Sequence, residues 1–277
     1  HAQVCFDTET TDIDALHADL VGFSFSYKAR EAFYVPVPAD FEQAKKIVEE
    51  FKPFFEDPSI EKIAHNIKYD LKVLQRYGIE VVEPLFDTMI AHYLINPEAK
   101  QSMDFLSTFY LNYQPVSIET LIGKKGKGQG NMRDLKPEEI SDYACEDADI
   151  TFQLKQLFEP EIQKEHLKEL FYEMEMPLVT VLKDIEQEGI AIDTAALDQF
   201  SKELDVRITE LDKEILSAAG ETFNIDSPKQ LGEILFEKLK IRASIWYAKK
   251  MQKDHYRVKT LTSNREITDK YIYRQLL

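Results

Sequence analysis

The chain has 277 residues, a formal net charge of −16 and an apolar fraction of 44%, which allows one large domain or two ordinary ones and excludes a disordered chain. The charge argues against holding nucleic acid in a global basic field, though not against local phosphate contacts. No run of about 18 apolar residues spans a membrane, no signal peptide is read at the N-terminus, and two cysteines, Cys5 and Cys145, fit a reducing cytoplasm rather than a disulfide framework.

The abrupt start at His1 reads as a fragment boundary. Val4 to Phe6 is a short apolar run entering Asp7, the end of a buried strand. Leu20 to Tyr27 and Ala32 to Val37 read as the next two strands, joined by a polar turn, and three strands in sequence imply an antiparallel meander. Phe41 to Phe55 has helical spacing. Ile63 and Ala64 read as a short strand, and Lys68 to Tyr77 as a helix closed by Gly78. From about residue 85 the pattern is mostly helical. Pro137 to Phe158 is a strong helix, with Pro137 in its first turn and two Glu behind it. Beyond Lys164 the chain is almost all helix: 169–188, then 193–219, then a helix begun by Ser227 as cap and Pro228. Strands followed by alternating strands and helices give a mixed α/β sheet. The loop Gly123 to Gly130 (GKKGKGQG) is flexible and basic. It lacks the GK[ST] of a Walker A loop, and reads as a solvated loop before it reads as a phosphate contact.

The chemistry begins at Asp7-Thr8-Glu9. Residues i and i+2 of a strand point to one side, so Asp7 and Glu9 present two carboxylates together, and like charges that close favour a cation. Taken alone, the pair reads equally well as an exposed acidic strand end. Asp70, in Asn66-Ile67-Lys68-Tyr69-Asp70, lies on a helix, where a lone Asp is ordinarily solvated. Tyr143 and Asp147 stand at i and i+4 and share a helix face. The histidines take no HxxxH spacing, so a zinc site of the usual kind is not expected.

Asp, Glu, Asp and Tyr-x-x-x-Asp, in this order and context, resemble the DEDD exonuclease superfamily. Tyr143 matches its tyrosine branch; the histidine branch would place His where Asp142 stands. Phe6-Asp7-Thr8-Glu9-Thr10, His65-Asn66-Ile67-Lys68-Tyr69-Asp70, Phe86-Asp87-Thr88-Met89 and Tyr143-Ala144-Cys145-Glu146-Asp147 resemble the proofreading exonuclease domain of family A DNA polymerases over residues 1 to 165. Glu173 to Leu178, Glu188 to Asp193 and Phe223 to Leu231 are similar to the start of that family's polymerase region and its thumb. The stretch from Arg242 to Tyr273 matches the thumb pattern poorly.

The resemblance implies a ribonuclease H-like mixed sheet flanked by helices over 1–165, and an all-helical thumb segment over 166–277 without palm or fingers. It implies two divalent ions, Mg²⁺ or Mn²⁺. Asp7, Glu9 and Asp147 would bind the first, Asp7 would be shared, and Asp70 would hold the second through water. Tyr143 would orient the attacking water, and Glu146 and Asp149 would go to solvent or salt bridges. Thr10, Ile13, Asn66 and Tyr69 would hold the terminal nucleotides, with Ile13 as a wedge; ordinary core packing is the competing reading for Ile13 and Tyr69. The implied substrate is a single-stranded or frayed DNA 3′ end, and the implied partner is the rest of the polymerase chain. A monomer in the bacterial cytoplasm, at the nucleoid, is expected. Competing readings are RNA 3′ processing of the ribonuclease D kind, and a non-catalytic DNA-binding or structural module.

Overall fold

The structure, a computed structural model, describes residues 2–126 and 128–240. Three strands, β1 (Ala2–Thr10), β2 (Leu20–Lys28) and β3 (Glu31–Pro36), form the expected antiparallel meander. Their alternation of large apolar and small or polar residues sets the two faces. On one face Phe23 and Phe25 meet Phe51, Phe54 and Phe55, and Phe6 meets Phe55 edge-on at 5.2 Å. Such pairs add about 0.5–1.5 kcal/mol each beyond area burial. The other face carries Cys5, Asp7 and Glu9, with Ser26, Ser24 and Gly22 opposite them on β2.

The helices α1 (Phe41–Glu50) and α2 (Lys52–Phe55) replace the single helix expected over 41–55. Asp40 caps α1 by accepting from the Gln43 amide at 2.9 Å. Pro53 stands in the first turn of α2, a position a proline tolerates because it needs no amide donor there. β4 (Ile60–Ala64) runs parallel to β1, and α3 (Ile67–Arg76) follows it. A third parallel strand, β5 (Leu85–Asp87), was not expected from the sequence. The sheet order is β3-β2-β1-β4-β5, so the carboxyl ends of β1, β4 and β5 lie together, where open α/β sheets place their ligands.

After β5 come α4 (Thr88–Ile95), α5 (Met103–Leu106) with a π-helical turn over Ser107–Leu111, α6 (Ile118–Ile122) and α7 (Pro137–Lys164). α7 continues past its expected end and contains Pro160. It lies across β1, β2 and β3, and its sheet-side residues Ala144 and Ala148 are fully buried. Small residues on both surfaces let this helix approach the sheet closely. A π-helical turn, Leu170–Glu175, leads into α8 (Met176–Glu188).

Phe171, Met176 and Val179 are buried in the same core as Phe86 and Ile67, and Glu186 accepts from Lys68 and, at 2.8 Å, from Lys72 of α3. The first compact unit therefore runs to Ile190, and one continuous core crosses the boundary drawn at 165. In the second unit α9 (Thr194–Ala219) is capped by Asp193, and Gly220 in the left-handed region closes it. Ser227 caps α10 (Pro228–Gly232) as expected. The stretch from Arg242 to Tyr273 lies outside the described residues. Among those described, no helix is long and apolar enough to cross a membrane.

Candidate active site

Asp7 and Glu9 leave β1 on its α7 face, and Asp147 meets them from α7. One carboxylate oxygen of each lies within 4.8 Å of the others. Glu9 is buried, Asp7 and Asp147 are half-buried, and Oε1 of Glu9 has no hydrogen-bond partner among the described residues. A buried orphan oxygen beside two more carboxylates is costly unless a cation supplies the missing partner. The donor set, oxygen only, fits a hard divalent ion.

The electrostatics agree. Burial, then the Asp70 charge, raises the carboxyl of Asp7 well above its usual range. Burial also raises Glu9, followed by the charges of Asp7 and Asp147. Burial and Asp7 raise Asp147, against the easing effect of the Tyr143 hydroxyl turned towards it. Burial likewise raises the half-buried Tyr143 far above an ordinary phenol, with Asp147, Glu9 and Asp7 adding to it. That hydroxyl keeps its proton at neutral pH.

Asp70 lies outside the trio but near enough to Asp7 for its charge to raise that carboxyl. It is 3% exposed in the first turns of α3, and burial pushes its carboxyl up to about 7. Its Oδ1 accepts from the Thr8 amide at 3.2 Å and from the Thr8 hydroxyl at 2.5 Å. The sequence singled out Thr8 for no role. Asp87, which the sequence offers only within the run Phe86 to Met89, accepts four amides on its buried carboxylate: Asn66 (3.2 Å), Ile67 (2.8 Å), Met89 (2.8 Å) and Ile90 (3.2 Å). It thereby fastens the starts of α3 and α4 to the end of β5, and so places Asp70.

Ile13 is 86% exposed, so core packing does not describe it. Its loop is pinned on several sides. The Tyr69 hydroxyl donates to the Asp12 carbonyl and shares a 2.5 Å bond with Thr10 Oγ1. Asn131 Nδ2 donates to the Thr11 carbonyl at 2.8 Å, and the Thr11 amide to the Asp19 carbonyl at 3.0 Å. Asn66 has a left-handed backbone (φ 65°) and an exposed side chain, a conformation rare outside Gly, Asn and Asp.

Glu146 and Asp149 depart from the expectation of solvent or salt bridges. Neither forms an ion pair among the described residues. Glu146 accepts from the Tyr113 hydroxyl at 2.5 Å and the Val116 amide at 2.6 Å, holding the 113–116 loop against α7. Asp149 accepts from the Arg30 amide at 2.5 Å and from Gln153 at 2.8 Å. Gly22 faces Glu9 across the strand pair, and a Cβ there would strike the Tyr34 hydroxyl at 2.2 Å.

Residues 1–163 match the 3′-5′ exonuclease family. The chain belongs to that family. Residues 194–276 match DNA polymerase family A, a match that extends over the stretch that departs from the thumb pattern. The DNA polymerase I of Borreliella burgdorferi is 37% identical over 99% of this chain, and that of Pseudomonas aeruginosa 36% identical over 85%. The chain spans 30% and 27% of those two relatives. Two solved structures share the fold. The POL domain of Pol1 from M. smegmatis, in complex with DNA primer-template and dNTP, has a TM-score of 0.67 at 20% identity, covering 97% of this chain and 46% of that one. Brucella melitensis NrnC has a TM-score of 0.56 at 19% identity, covering 68% and 86%. The fold is thus a mixed sheet flanked by helices of the ribonuclease H-like kind.

Proposed function

We propose that this chain is the proofreading part of a DNA polymerase I and hydrolyses single-stranded or frayed DNA from the 3′ end, releasing 5′-mononucleotides. The observation that carries this is the trio Asp7, Glu9 and Asp147, with Asp70 set beside it, in a member of the 3′-5′ exonuclease family. Asp7, Glu9 and Asp147 would hold one divalent ion and Asp70, with Asp7, a second; Mg²⁺ is the choice, with Mn²⁺ able to replace it. Bound there, such ions supply an acidified water and charge stabilisation for an in-line displacement.

The remaining work falls to the chain. The protonated Tyr143 hydroxyl beside Asp147 orients the attacking water; with its pKa raised it is no base at neutral pH. Ile13, exposed on a pinned loop, wedges against the terminal bases, while Thr10, Tyr69 and the Asn66 side chain shape the pocket for the last nucleotides. A mismatched end has already lost stacking and pairing of about 1.4 kcal/mol per step, so it frays into this site more often than a matched one. The segment 166–277 begins the polymerase region, and the partners are the DNA end and the rest of the polymerase. We place the protein in the bacterial cytoplasm, at the nucleoid, as a monomer.

The test is a 5′-labelled single-stranded oligonucleotide with Mg²⁺ or Mn²⁺. The expected result is a ladder shortening from the 3′ end, abolished by EDTA and by Asp7→Ala. An RNA strand degraded in preference to DNA would move the assignment to RNA 3′ processing. No degradation with either metal would leave the domain a structural part of a polymerase.

A further inference from the structure

The tripeptide Asp7-Thr8-Glu9 has one residue whose task the metal-binding trio does not explain. Alternation along β1 turns Asp7 and Glu9 to the α7 face, and Thr8 to the opposite face. Thr8 is 8% exposed there. Its partner is Asp70, 62 positions away in sequence, which arrives on the first turns of α3. Amide and hydroxyl of Thr8 both donate to the same oxygen, Oδ1, at 3.2 and 2.5 Å. The hydroxyl distance lies in the range of charge-assisted O–H···O⁻ bonds. Both hydrogen bonds that Thr8 makes to the Asp70 carboxylate end on Oδ1, and the backbone amide of Asp70 itself also donates to that carboxyl.

From this arrangement we infer that Thr8 is a positioning residue: it locks the Asp70 carboxylate in one rotamer, with Oδ1 committed to the protein and Oδ2 left to a divalent ion or its water. One tripeptide then sets three carboxylates, two by carrying them and the third by gripping it from the back of the strand. The inference rests on the nuclease reading above, and it concerns the hydroxyl rather than the bulk of the side chain. A valine fills the same space but cannot donate. A serine donates but lacks the methyl. The two substitutions therefore separate gripping from packing.

The experiment titrates the 277-residue chain with Mn²⁺ alone, followed by electron paramagnetic resonance, with thermal melts of each variant alongside. In the wild type two sites are expected. In Thr8→Val the weaker site loses about ten-fold or more in affinity while the tighter one stays within about two-fold, the scale of one hydrogen bond to a charged group. Thr8→Ala behaves like Thr8→Val, and Thr8→Ser restores both sites. At saturating Mn²⁺, kcat on a single-stranded oligonucleotide follows the same order with KM unchanged. The inference is overturned if Thr8→Val binds like the wild type, or if Thr8→Ser and Thr8→Ala are equally impaired, the pattern of a packing methyl. Should Thr8→Val fail to fold, the Ser and Ala pair decides by the same criterion. A wild type that binds Mn²⁺ at two sites and degrades DNA, beside an unimpaired Thr8→Val, removes this inference alone. A wild type that binds no Mn²⁺ removes the nuclease reading and this inference with it.

Discussion

The four carboxyls of the site all have raised pKa values, so each contributes most to the stability of the first unit where it is protonated. Asp70 ionises near 3.8 when exposed and near about 7 in the fold. Between those values the native state binds the extra proton, so stability falls as pH rises through that window. Asp7, Glu9 and Asp147 shift in the same direction and prolong the loss. A divalent ion binds the ionised set and stabilises the folded state by mass action. In EDTA the melting temperature of the first unit should therefore drop between pH 5 and pH 8, by about 2–4 °C for each kcal/mol lost. Added Mg²⁺ or Mn²⁺ should restore it at pH 8 and do little at pH 5. Equal metal effects at both pH values would mean that these carboxyls are not the binding groups. Asp87 is a second residue-scale case, because its carboxylate alone accepts from four backbone amides. Asp87→Ala should cost about 2–4 kcal/mol in urea denaturation. A loss under about 0.5 kcal/mol, ordinary for a surface change, would show that the four bonds do not matter to the fold.

At the scale of elements, the site depends on how closely α7 approaches the sheet. Ala148 follows Asp147 and is fully buried. Ala148→Leu should overpack this contact, cost about 1–3 kcal/mol, and separate Asp147 from Asp7 and Glu9, so that the tighter Mn²⁺ site is lost while the fold survives. Retained Mn²⁺ affinity in a folded Ala148→Leu protein would show the helix spacing to be slack. The same scale separates what the sequence discloses from what it hides. β1, β2 and β3 were legible because their faces alternate over several residues, and α7 because its apolar period and first-turn Glu residues agree. β5 was not legible: Leu85, Phe86 and Asp87 are all buried, so three residues show no alternation. The apolar stripe over 169–188 disclosed a helix but neither the π-helical turn at its start nor the surface it covers, which proves to be α3, reached through Glu186. In the site, the carboxylates were legible as a spaced motif. The grip of Thr8 on Asp70 was not, since a hydrogen bond between residues so far apart in sequence leaves no periodic trace.

At the scale of the whole molecule, the proposed DNA substrate can meet a chain of charge −16 only through a few local cations. The loop from Gly123 to Gly130 supplies a cluster of them, with Lys124 and Lys125 exposed. It joins α6 to Asn131, whose side chain holds the Thr11 carbonyl beside Ile13, so the loop is tethered next to the proposed wedge. Binding of a single-stranded oligonucleotide to the isolated chain should be weak and salt-sensitive, because each neutralised phosphate contributes a slope of about −0.7 in log K against log salt. Replacing Lys124 and Lys125 together by Ala should flatten that slope by about 1.4 if both meet phosphates. The measurement is made in Ca²⁺, another oxygen-seeking divalent ion, or in the Asp7→Ala protein, so that the strand is not consumed. An unchanged slope would return the loop to its plainer reading as a solvated turn. The chain's affinity would then come from the metal-bound phosphate and the wedge alone, both of which are insensitive to these two lysines.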